Sequence, residues 1–325
     1  MSDEEQLETA LAEIARGTSI RGAAASYNIP ESTLRRRWHQ SQVNEETPKF
    51  TSPDMPAEEL LDHLTRRFER THQAYKERKW AKVQAPEEVL GAVFVGDPHL
   101  GNEGTNYPLL RNHAELMAST PGVRAVNIGD TVDGWGGRLL ALYAETENSR
   151  PRERTLIKWF LEDSGIPWWI WLDGNHDTMG GMNSFTHAIT RIPVYDWKAQ
   201  FEIQFKDWSF RVDARHNFKG NSLWNELHGL LREAMIGEPA DLYVAGHHHN
   251  YGLMEMERPD NSIAKLLRVR GYKWIDDHSE RHGFKQSHKG SSVMVVLDPF
   301  ARKSTLFSDL EEGCDYLTWR RGKCQ

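Results

Sequence analysis

Short clusters of metal-ligating side chains recur between residues 97 and 249 of this 325-residue chain. Each cluster directly follows a short apolar run, as expected where a polar loop leaves a buried strand. Carboxylate oxygens and neutral imidazole nitrogens are ligands that suit Mn, Fe, Zn and Ni. Their order predicts a metal site that is assembled from several loops. The clusters are Asp97-Pro-His99, Gly129-Asp-Thr-Val-Asp133, Gly174-Asn-His-Asp177, His216 and Gly246-His-His-His249.

The elements that position these clusters are predicted from the apolar runs themselves. Two helical stretches, Tyr107–Ser119 and Pro151–Ser164, interleave with the first three runs. Strands that alternate with helices and are then followed mostly by strands indicate an α/β fold with mixed sheets. The C-terminal ends of strands are where open α/β sheets carry their sites. The predicted strands are Ala92–Val95, Val123–Ile128, Trp168–Leu172, Phe201–Phe205, Phe210–Val212, Leu242–Ala245, Leu266–Val269 and Val293–Leu297.

The five clusters, in this order, resemble the calcineurin-like metallophosphoesterase family, in its Mre11/SbcD-like nuclease branch. The resemblance spans about residues 91–300. It implies a four-layer α/β/β/α sandwich of two mixed sheets that holds two divalent metal ions. Mn is the expected metal, with Fe, Zn, Ni and Mg as alternatives. The resemblance makes Asp130 the bridge between the ions and implies Asp97, His99 and His249 as ligands of the first ion and Asn175, His216 and His247 as ligands of the second.

The resemblance also implies roles for residues beside the ligands. A hydroxide held between the two ions would attack phosphorus, because metal binding lowers the pKa of water. His176 would stabilise the transition state or protonate the leaving oxygen. Asp177 is expected to orient His176, and Asp133 is expected to support the site from behind the ligands.

His216 is one of three candidates for its ligand position, and the other two are His187 and His228. Both of the others fall in predicted helices. Only His216 directly follows a predicted strand, as the family pattern requires. We therefore expect His216 to be the ligand. His248, the middle residue of its triplet, is expected to point away from the metals because side chains alternate along an extended chain.

Residues 1–42 are predicted to form short helices, and the stretch Gly17–Trp38 resembles the pipsqueak-type helix-turn-helix family. In that family the helix after the turn enters the DNA major groove. A short helix with three arginines can contact phosphates and base edges together. The alternative is a helical oligomerisation or docking module with solvated arginines. The DNA-binding residues that the resemblance implies are Ser32, Thr33, Arg35, Arg36 and Arg37.

Residues 43–90 are predicted to contain a polar linker, Val43–Pro56, and a long charged helix, Ala57–Val83. Apolar residues recur at helical spacing along one side of that helix. A spacer packed on the next domain, or a homodimer formed through residues 57–83, would each explain this stripe. The predicted domains are thus a helix-turn-helix module over 1–42, a linker and helix over 43–90, and a catalytic domain over 91–325.

The composition argues against several classes of protein. A formal charge of −7 is not that of a generally basic surface, and two cysteines do not make a disulfide or zinc framework. The first ten residues are acidic and lack the apolar centre of a signal peptide. No apolar run is long enough to span a bilayer. The sequence therefore predicts a soluble cytoplasmic protein without a membrane segment.

A two-metal centre beside a helix-turn-helix predicts a phosphodiester hydrolase, and most specifically a DNA nuclease. DNA is the expected partner, and any ATPase motor would be a separate protein. Trp135 and Arg138 are candidates to stack a nucleobase and to bind phosphate, with packing and surface charge as their alternative roles. The alternative function is a small-molecule phosphatase or cyclic-nucleotide phosphodiesterase whose N-terminal helices serve assembly. A non-enzymatic DNA-binding regulator is disfavoured, because no ligand position of the motif is substituted.

Overall fold

A computed structural model describes residues 3–16, 18–27, 29–31, 33–35, 37–38, 56–76, 80–136, 143, 148–274 and 290–324. The chain forms two compact units, residues 1–78 and residues 79–325. Within the described residues, no helix is both long and apolar enough to cross a membrane.

The first unit begins with two helices, α1 (Asp3–Ala15) and α2 (Ile20–Tyr27). A third helical segment includes residues 31, 33–35 and 37–38. Small and branched apolar side chains fill the space between these helices, and Ala10, Ala23 and Leu34 are fully buried there. The predicted short helices of this segment are therefore present and share one small core.

Helix α3 (Ala57–Lys76) is shorter than the helix predicted over Ala57–Val83. The reason is that Ala81–Gln84 forms a strand, in which alternate side chains including Val83 face the core of the second unit. Homodimer formation through this helix stays a prediction. Among the described side chains of α3, the large apolar residues Leu60, Leu61, Leu64 and Phe68 are exposed.

The second unit contains twelve strands among its described residues, arranged in two six-stranded sheets. The strands are β1 (Ala81–Gln84), β2 (Leu90–Val95), β3 (Val123–Asn127), β4 (Trp168–Asp173), β5 (Val194–Asp196), β6 (Lys198–Gln204), β7 (Ser209–Arg215), β8 (Leu242–Ala245), β9 (Gly252–Glu257), β10 (Ile263–Arg268), β11 (Ser292–Asp298) and β12 (Lys303–Phe307). The helices are α4 (Tyr107–Ser119), α5 (Arg150–Lys158), α6 (Asn175–Met179), α7 (Met182–Ile189), α8 (His228–Ile236) and α9 (Leu310–Gly322).

Both sheets are mixed. The first has the order β1-β6-β7-β8-β10-β9, and the second has the order β12-β11-β2-β3-β4-β5. Strands β2 to β5 run parallel to one another, as do β7, β8 and β10. The carboxyl ends of each parallel set therefore lie at one edge of its sheet, where polar loops can converge.

The two sheets face each other across a shared apolar core that includes Phe94, Ile170, Phe201 and Val244. The other face of the second sheet is covered by α4, α5, α7 and α9. The other face of the first sheet packs on α8 through Leu230. The layers therefore follow the order α/β/β/α, and the predicted fold class, a four-layer sandwich of two mixed sheets preceded by a small helical module, is confirmed.

The second unit begins before the catalytic domain that was predicted to start at residue 91. Residues 79–90 belong to it, because β1 pairs in parallel with β6. The helix predicted over Pro151–Ser164 is observed as α5 and a π-helical turn, Trp159–Asp163. The helix predicted over Tyr107–Ser119 has the predicted bounds.

Buried His113 on α4 predicts a pH dependence of stability. Its Nδ1 lies 2.7 Å from the Tyr272 hydroxyl oxygen, and burial lowers its pKa to about 4. An unfolded chain takes up this proton below about pH 6.5, whereas the folded chain resists it until about pH 4. Stability is therefore complete above pH 6.5 and falls by about 3 kcal/mol on acidification to pH 4.

Chemical denaturation of the wild type and His113→Asn between pH 4 and pH 7 measures how much of the unfolding free energy depends on the protonation of His113. We expect the wild type to lose more unfolding free energy than the variant as the pH falls. His63→Asn, a change at an exposed histidine of α3, is the matched control. Parallel pH curves for the wild type and His113→Asn would contradict the prediction.

Candidate metal centre

The seven predicted ligands lie on five loops that meet at the carboxyl ends of parallel strands. Loops from both sheets contribute, so the site lies where the ends of the two sheets adjoin. In chain order, the loops follow β2 with Asp97 and His99, β3 with Asp130, β4 with Asn175, β7 with His216, and β8 with His247 and His249.

Three of these residues, Asp97, His99 and His249, form a first group. The Nε2 atoms of His99 and His249 lie 3.1 Å apart. His249 Nε2 lies 3.6 Å from Asp97 Oδ2. These are the residues predicted to bind the first ion, and the structure brings them together.

The other four residues, Asp130, Asn175, His216 and His247, form a second group around one ring nitrogen. His216 Nε2 lies 3.0 Å from Asn175 Oδ1 and 3.1 Å from His247 Nδ1. It also lies 3.2 Å from Asp130 Oδ2. The ligands predicted for the second ion therefore also lie within contact of one another.

Asp97 connects the two groups. Its Oδ2 accepts a hydrogen bond from the His247 backbone N–H at 2.6 Å, and its Oδ1 lies 3.8 Å from His216 Nδ1. Asp130 is held by a second backbone contact, because its Oδ1 accepts the His176 backbone N–H at 2.9 Å. Both carboxylates are buried, so the two groups form one continuous centre.

Four of the seven predicted ligands have a left-handed backbone conformation. Such a conformation costs of the order of 1–3 kcal/mol for a residue with a side chain and is retained mainly at functional sites. In the described part of the chain, seven non-glycine residues have positive φ, and four of them are predicted ligands of this centre. The four are His99 (φ 45°), Asp130 (φ 47°), His247 (φ 69°) and His249 (φ 54°).

Gly174 allows the second group to close. A Cβ atom at this position would overlap the backbone nitrogen and Oδ1 of Asp130. The loop that carries Asn175 can therefore approach Asp130 only because residue 174 has no side chain.

The ring orientations show that the second group fits a cation. His216 Nδ1 lies 2.9 Å from the Ile128 carbonyl oxygen, which can only accept, so Nδ1 carries a proton. The opposite nitrogen, Nε2, then faces the oxygen atoms of Asp130 and Asn175 and a nitrogen of His247. A buried set of lone pairs that converges in this way is stabilised by a positive charge at its centre.

The first group fits a cation for two reasons. His99 Nδ1 donates to Asp133 Oδ1 at 2.9 Å, which leaves Nε2 to face His249. Asp97 Oδ1 is buried without a hydrogen-bond partner among the described residues, and an unpaired buried carboxylate oxygen is costly unless a cation or proton meets it. The structure thus offers two adjacent candidate positions for divalent ions.

The electrostatics of the centre agree with this arrangement. Burial lowers the pKa of His216, but the Asp130 and Asp97 carboxylates and the Ile128 carbonyl together outweigh burial and raise that pKa to about 9. Burial raises the pKa of Asp130, yet His216, His176 and His99 together hold it well below its usual range. Burial raises the pKa of Asp97 to about 6. A site that holds a proton this firmly on His216 also attracts a divalent cation in its place.

His176 lies beside both groups without facing Asp177. Its Nδ1 lies 2.6 Å from the Asp133 carbonyl oxygen and donates to it. Its ring meets the His99 ring edge to face at 5.1 Å. The carboxylate of Asp133 lies behind His99 and also accepts from Asn102 Nδ2 at 2.5 Å, so Asp133 occupies the supporting position that was predicted for it.

His99, Asp133 and His176 also satisfy the distance pattern of a metal-binding group. Two hydrogen bonds explain this cluster without an ion, because the Nδ1–H of each histidine donates to Asp133, one to the carboxylate and one to the carbonyl. We therefore assign His176 a position beside the ions.

The predicted role of Asp177 as the residue that orients His176 is wrong. Asp177 Oδ1 accepts the Thr131 backbone N–H at 3.0 Å, and Oδ2 accepts the Gly174 backbone N–H at 2.8 Å. The carboxylate therefore joins the loops after β3 and β4. Burial raises the pKa of Asp177 to about 8.

The rival histidines lie elsewhere. His187 Nε2 lies 2.7 Å from Asp173 Oδ2, and His228 begins helix α8 beside Gly220. His248 Nε2 lies 3.2 Å from Asn217 Nδ2. Of the three candidates for the fourth cluster, the structure brings only His216 into contact with Asp130.

Trp135 lies at the centre, with its ring 5.4 Å from the His176 ring. The Lys273 ammonium lies over the Trp135 ring at 5.5 Å and 3.9 Å from Asp133 Oδ1. These contacts favour packing as the role of Trp135 over the predicted stacking with a substrate. Arg138, the other predicted substrate contact, lies outside the described residues.

Of the predicted DNA-binding residues, Ser32 and Arg36 lie outside the described residues. Thr33 is half-buried and Leu34 is buried, whereas Arg35 and Arg37 are exposed. Arg35 Nη2 forms an ion pair with Glu31 Oε1 at 2.6 Å.

Three residues of the centre were not predicted from the sequence: Asn102, Trp197 and Lys273. Asn102 follows His99 within the same loop, and a polar residue so close to a ligand is a usable signal. Trp197 and Lys273 are distant in sequence from every cluster. Only the folded chain places them here, as the contacts of Trp197 with His216 and of Lys273 with Asp133 show.

Comparison with known protein families identifies a match for the N-terminal residues. Residues 3–41 match the family described as helix-turn-helix, Psq domain. No curated protein matches the chain.

Several solved structures are similar to the chain at low identity. NAD nucleotidase of Haemophilus influenzae is 11% identical with a TM-score of 0.39, over 67% of this chain and 49% of that one. The 5'-nucleotidase precursor of Thermus thermophilus is 9% identical with a TM-score of 0.39, over 73% and 59%. Nuclease MPE of Pseudomonas putida is 14% identical with a TM-score of 0.31, over 66% and 87%.

The chain spans about half to three fifths of the length of the first two of these structures. At such TM-scores the similarity carries no argument about activity. What the fold and the comparisons establish is a four-layer α/β/β/α sandwich in a chain whose first residues match the Psq helix-turn-helix.

Proposed function

We propose that this chain is a two-metal-dependent phosphodiester hydrolase that acts on DNA. The observation that carries the proposal is the pair of ligand groups that meet across Asp97 and Asp130. Two adjacent cations can hold the attacking and the leaving oxygen of a phosphoryl group at once. Nitrogen and oxygen ligands without thiolate favour Mn, with Fe, Zn, Ni and Mg as alternatives.

When bound, the two cations would supply positive charge to the phosphoryl oxygens and lower the pKa of a water molecule. The chain fixes the geometry. Asp130 presents one oxygen to His216 and anchors the His176 backbone with the other. The Asp133 carbonyl holds the His176 ring by its Nδ1–H. Because Nδ1 already donates, His176 must carry a second proton on Nε2, in its imidazolium form, to protonate the leaving oxygen or to stabilise the transition state.

Support for DNA as the substrate comes from the first unit. Its residues 3–41 match the Psq helix-turn-helix, and its Arg35 and Arg37 are exposed, as residues that contact phosphates must be. A DNA-binding module in the same chain raises the local concentration of DNA near the catalytic unit. A separate ATPase partner stays a prediction.

A substrate panel tests the proposal. Purified protein is loaded with Mn²⁺ and incubated with linear DNA, circular DNA, bis(p-nitrophenyl) phosphate, mononucleotides and cyclic nucleotides. Cleavage of the diester and of DNA supports the proposal. Cleavage of the small diester with intact DNA would exclude the nuclease. Hydrolysis of mononucleotides or cyclic nucleotides alone would favour the small-molecule phosphatase or phosphodiesterase.

Replacing Arg35 and Arg37 by alanine should weaken the reaction with DNA selectively. Each arginine–phosphate contact releases counterions from DNA, and this release favours binding. The loss of a contact therefore lowers the affinity for DNA. We expect the KM for DNA to rise by about 10-fold at moderate salt, with a smaller salt dependence, and the rate with bis(p-nitrophenyl) phosphate to stay unchanged.

The matched control is the double change Arg66→Ala and Arg67→Ala on α3, which removes the same charge outside the matched residues 3–41. Equal losses for the two double variants would show a general electrostatic effect. That result would remove the support for specific DNA contacts by Arg35 and Arg37.

A further inference from the structure

Trp197 is placed at the second ligand group although no sequence cluster contains it. Its ring lies 5.1 Å from the His216 ring, edge to face, and 6.4 Å from the His247 ring. The side chain is nevertheless 38% exposed. A large aromatic surface therefore stays accessible beside two candidate metal ligands.

The backbone of Trp197 is fixed on both sides. Its N–H donates to the Asp173 carbonyl at 3.3 Å, and its own carbonyl accepts the His216 N–H at 2.9 Å. Trp197 is also the single residue between β5 and β6, where the chain passes from one sheet to the other. The indole thus projects from a rigid junction beside the centre.

Trp197 has a φ of 63°, in the left-handed region that glycine occupies at little cost. A bulky residue in this region is a conformational outlier. Glycine would satisfy the turn between the sheets, so the turn alone does not explain the tryptophan. The same backbone feature marks four of the seven candidate ligands, and such outliers concentrate at functional sites.

The two tryptophans of the centre differ in their access to a ligand. Trp135 is half-buried and contacts the His176 ring, while the Lys273 ammonium lies over the Trp135 ring. Trp197 contacts the His216 and His247 rings and keeps over a third of its surface exposed. The accessible aromatic face therefore belongs to Trp197, on the side of the second group.

We propose that Trp197 is a specificity-determining residue that stacks on an unpaired nucleobase attached next to the scissile phosphate. This inference rests on the proposed phosphodiester hydrolase function. Base–aromatic stacking tolerates every base, because each has a π face. A base can lie on the indole only when it has left its own stack, so single-stranded or frayed DNA is the expected form of the substrate.

Binding of short single-stranded DNA to metal-loaded His176→Ala protein tests the inference without turnover. The ligands are pentanucleotides in which an abasic tetrahydrofuran residue replaces each nucleotide in turn. With Trp197 present, we expect loss of one base to raise Kd by about 10-fold. In the His176→Ala, Trp197→Ala protein the same loss should raise Kd by less than about 2-fold, with Trp197→Phe between them.

If Trp197 had only a structural role, its replacement by alanine would weaken the binding of intact and abasic strands equally. That result would overturn the inference, and so would the absence of measurable binding. Trp319→Ala is the matched control, since Trp319 is exposed on α9 away from the centre, and it should keep the full dependence on the base. A mononucleotide that displaces the strand, with affinity that depends on Trp197 in the same way, would also support base stacking. In that case the stacked base would belong to a substrate smaller than DNA.

The outcome is separable from that of the proposed function. Wild-type protein that cleaves no diester would refute the hydrolase, while the binding comparison would still report whether Trp197 senses the base. Wild-type protein that cleaves DNA, with no coupling between Trp197 and any base, would refute the inference alone.

Discussion

Replacing Asp130 by asparagine is expected to abolish diester hydrolysis while the protein stays folded. The change removes the negative charge that faces His216 Nε2 at 3.2 Å. The asparagine oxygen can still accept the His176 N–H, and this turns the amide nitrogen toward His216. The amide N–H would then donate to the lone pair of His216 Nε2, which a cation needs. The lost carboxylate charge and this hydrogen bond both oppose metal binding.

Two measurements check this expectation. The rate with bis(p-nitrophenyl) phosphate in saturating Mn²⁺ should fall by at least about 10³-fold, since a bound cation contributes several kcal/mol of transition-state stabilisation. The metal content after dialysis, measured by plasma mass spectrometry, should fall by at least one ion per chain. The melting temperature of metal-free protein should fall, because the change removes one partner of the buried Asp130–His216 pair, and a cooperative thermal transition would show that the variant still folds.

Asp173→Asn provides a matched control for Asp130→Asn. Asp173 is also a buried aspartate at the end of a strand, but its carboxylate bonds His187 outside the ligand groups. This variant should keep its metal content and its rate. If Asp130→Asn retained both ions and its rate, Asp130 would not have the bridging role that the family resemblance implies for it.

The strands that sequence reasoning found and the strands it missed differ by their place in the sheets. All eight predicted strands are interior strands, and the four missed strands, β1, β5, β9 and β12, are the four edge strands. The interior strands β2, β8 and β11 are buried on both faces and read as continuous apolar runs. An edge strand such as β9, with the sequence Gly-Leu-Met-Glu-Met-Glu, is polar enough to be read as a loop.

The candidate ligands could be found in the sequence because each follows an interior strand, and such ends converge in space. His216 was preferred over His187 because only His216 directly follows a strand, as the family pattern requires. The partner of a buried carboxylate could not be predicted, since it depends on how two loops approach each other. Asp177 bonds backbone N–H groups of both loops instead of His176.

Trp197 shows the other limit of sequence reasoning. It lies between two strands of different sheets, one of them an edge strand with only three residues. Its contact with His216 exists only because the chain crosses between the sheets at that residue. No periodicity or motif marks such a position, so only the structure reveals it.

Replacing His176 by alanine is expected to separate catalysis from metal binding. His176 donates its Nδ1–H to the Asp133 carbonyl, and among the described residues its Nε2 has no hydrogen-bond partner, so Nε2 is the atom proposed to act on the substrate. The variant should keep the metal content of the wild type. Its rate with DNA should fall by about 10²–10⁴-fold, the usual contribution of a positioned general acid.

The leaving group decides which of the two proposed roles His176 performs. A p-nitrophenolate leaves without a proton, whereas the alkoxide of a DNA strand needs one. If His176 protonates the leaving oxygen, His176→Ala should lose at least about 10-fold more rate with DNA than with bis(p-nitrophenyl) phosphate. Equal losses with both substrates would assign His176 to charge stabilisation instead. Loss of a metal ion from the variant would contradict both roles, because it would place His176 with His99 and Asp133 as a ligand.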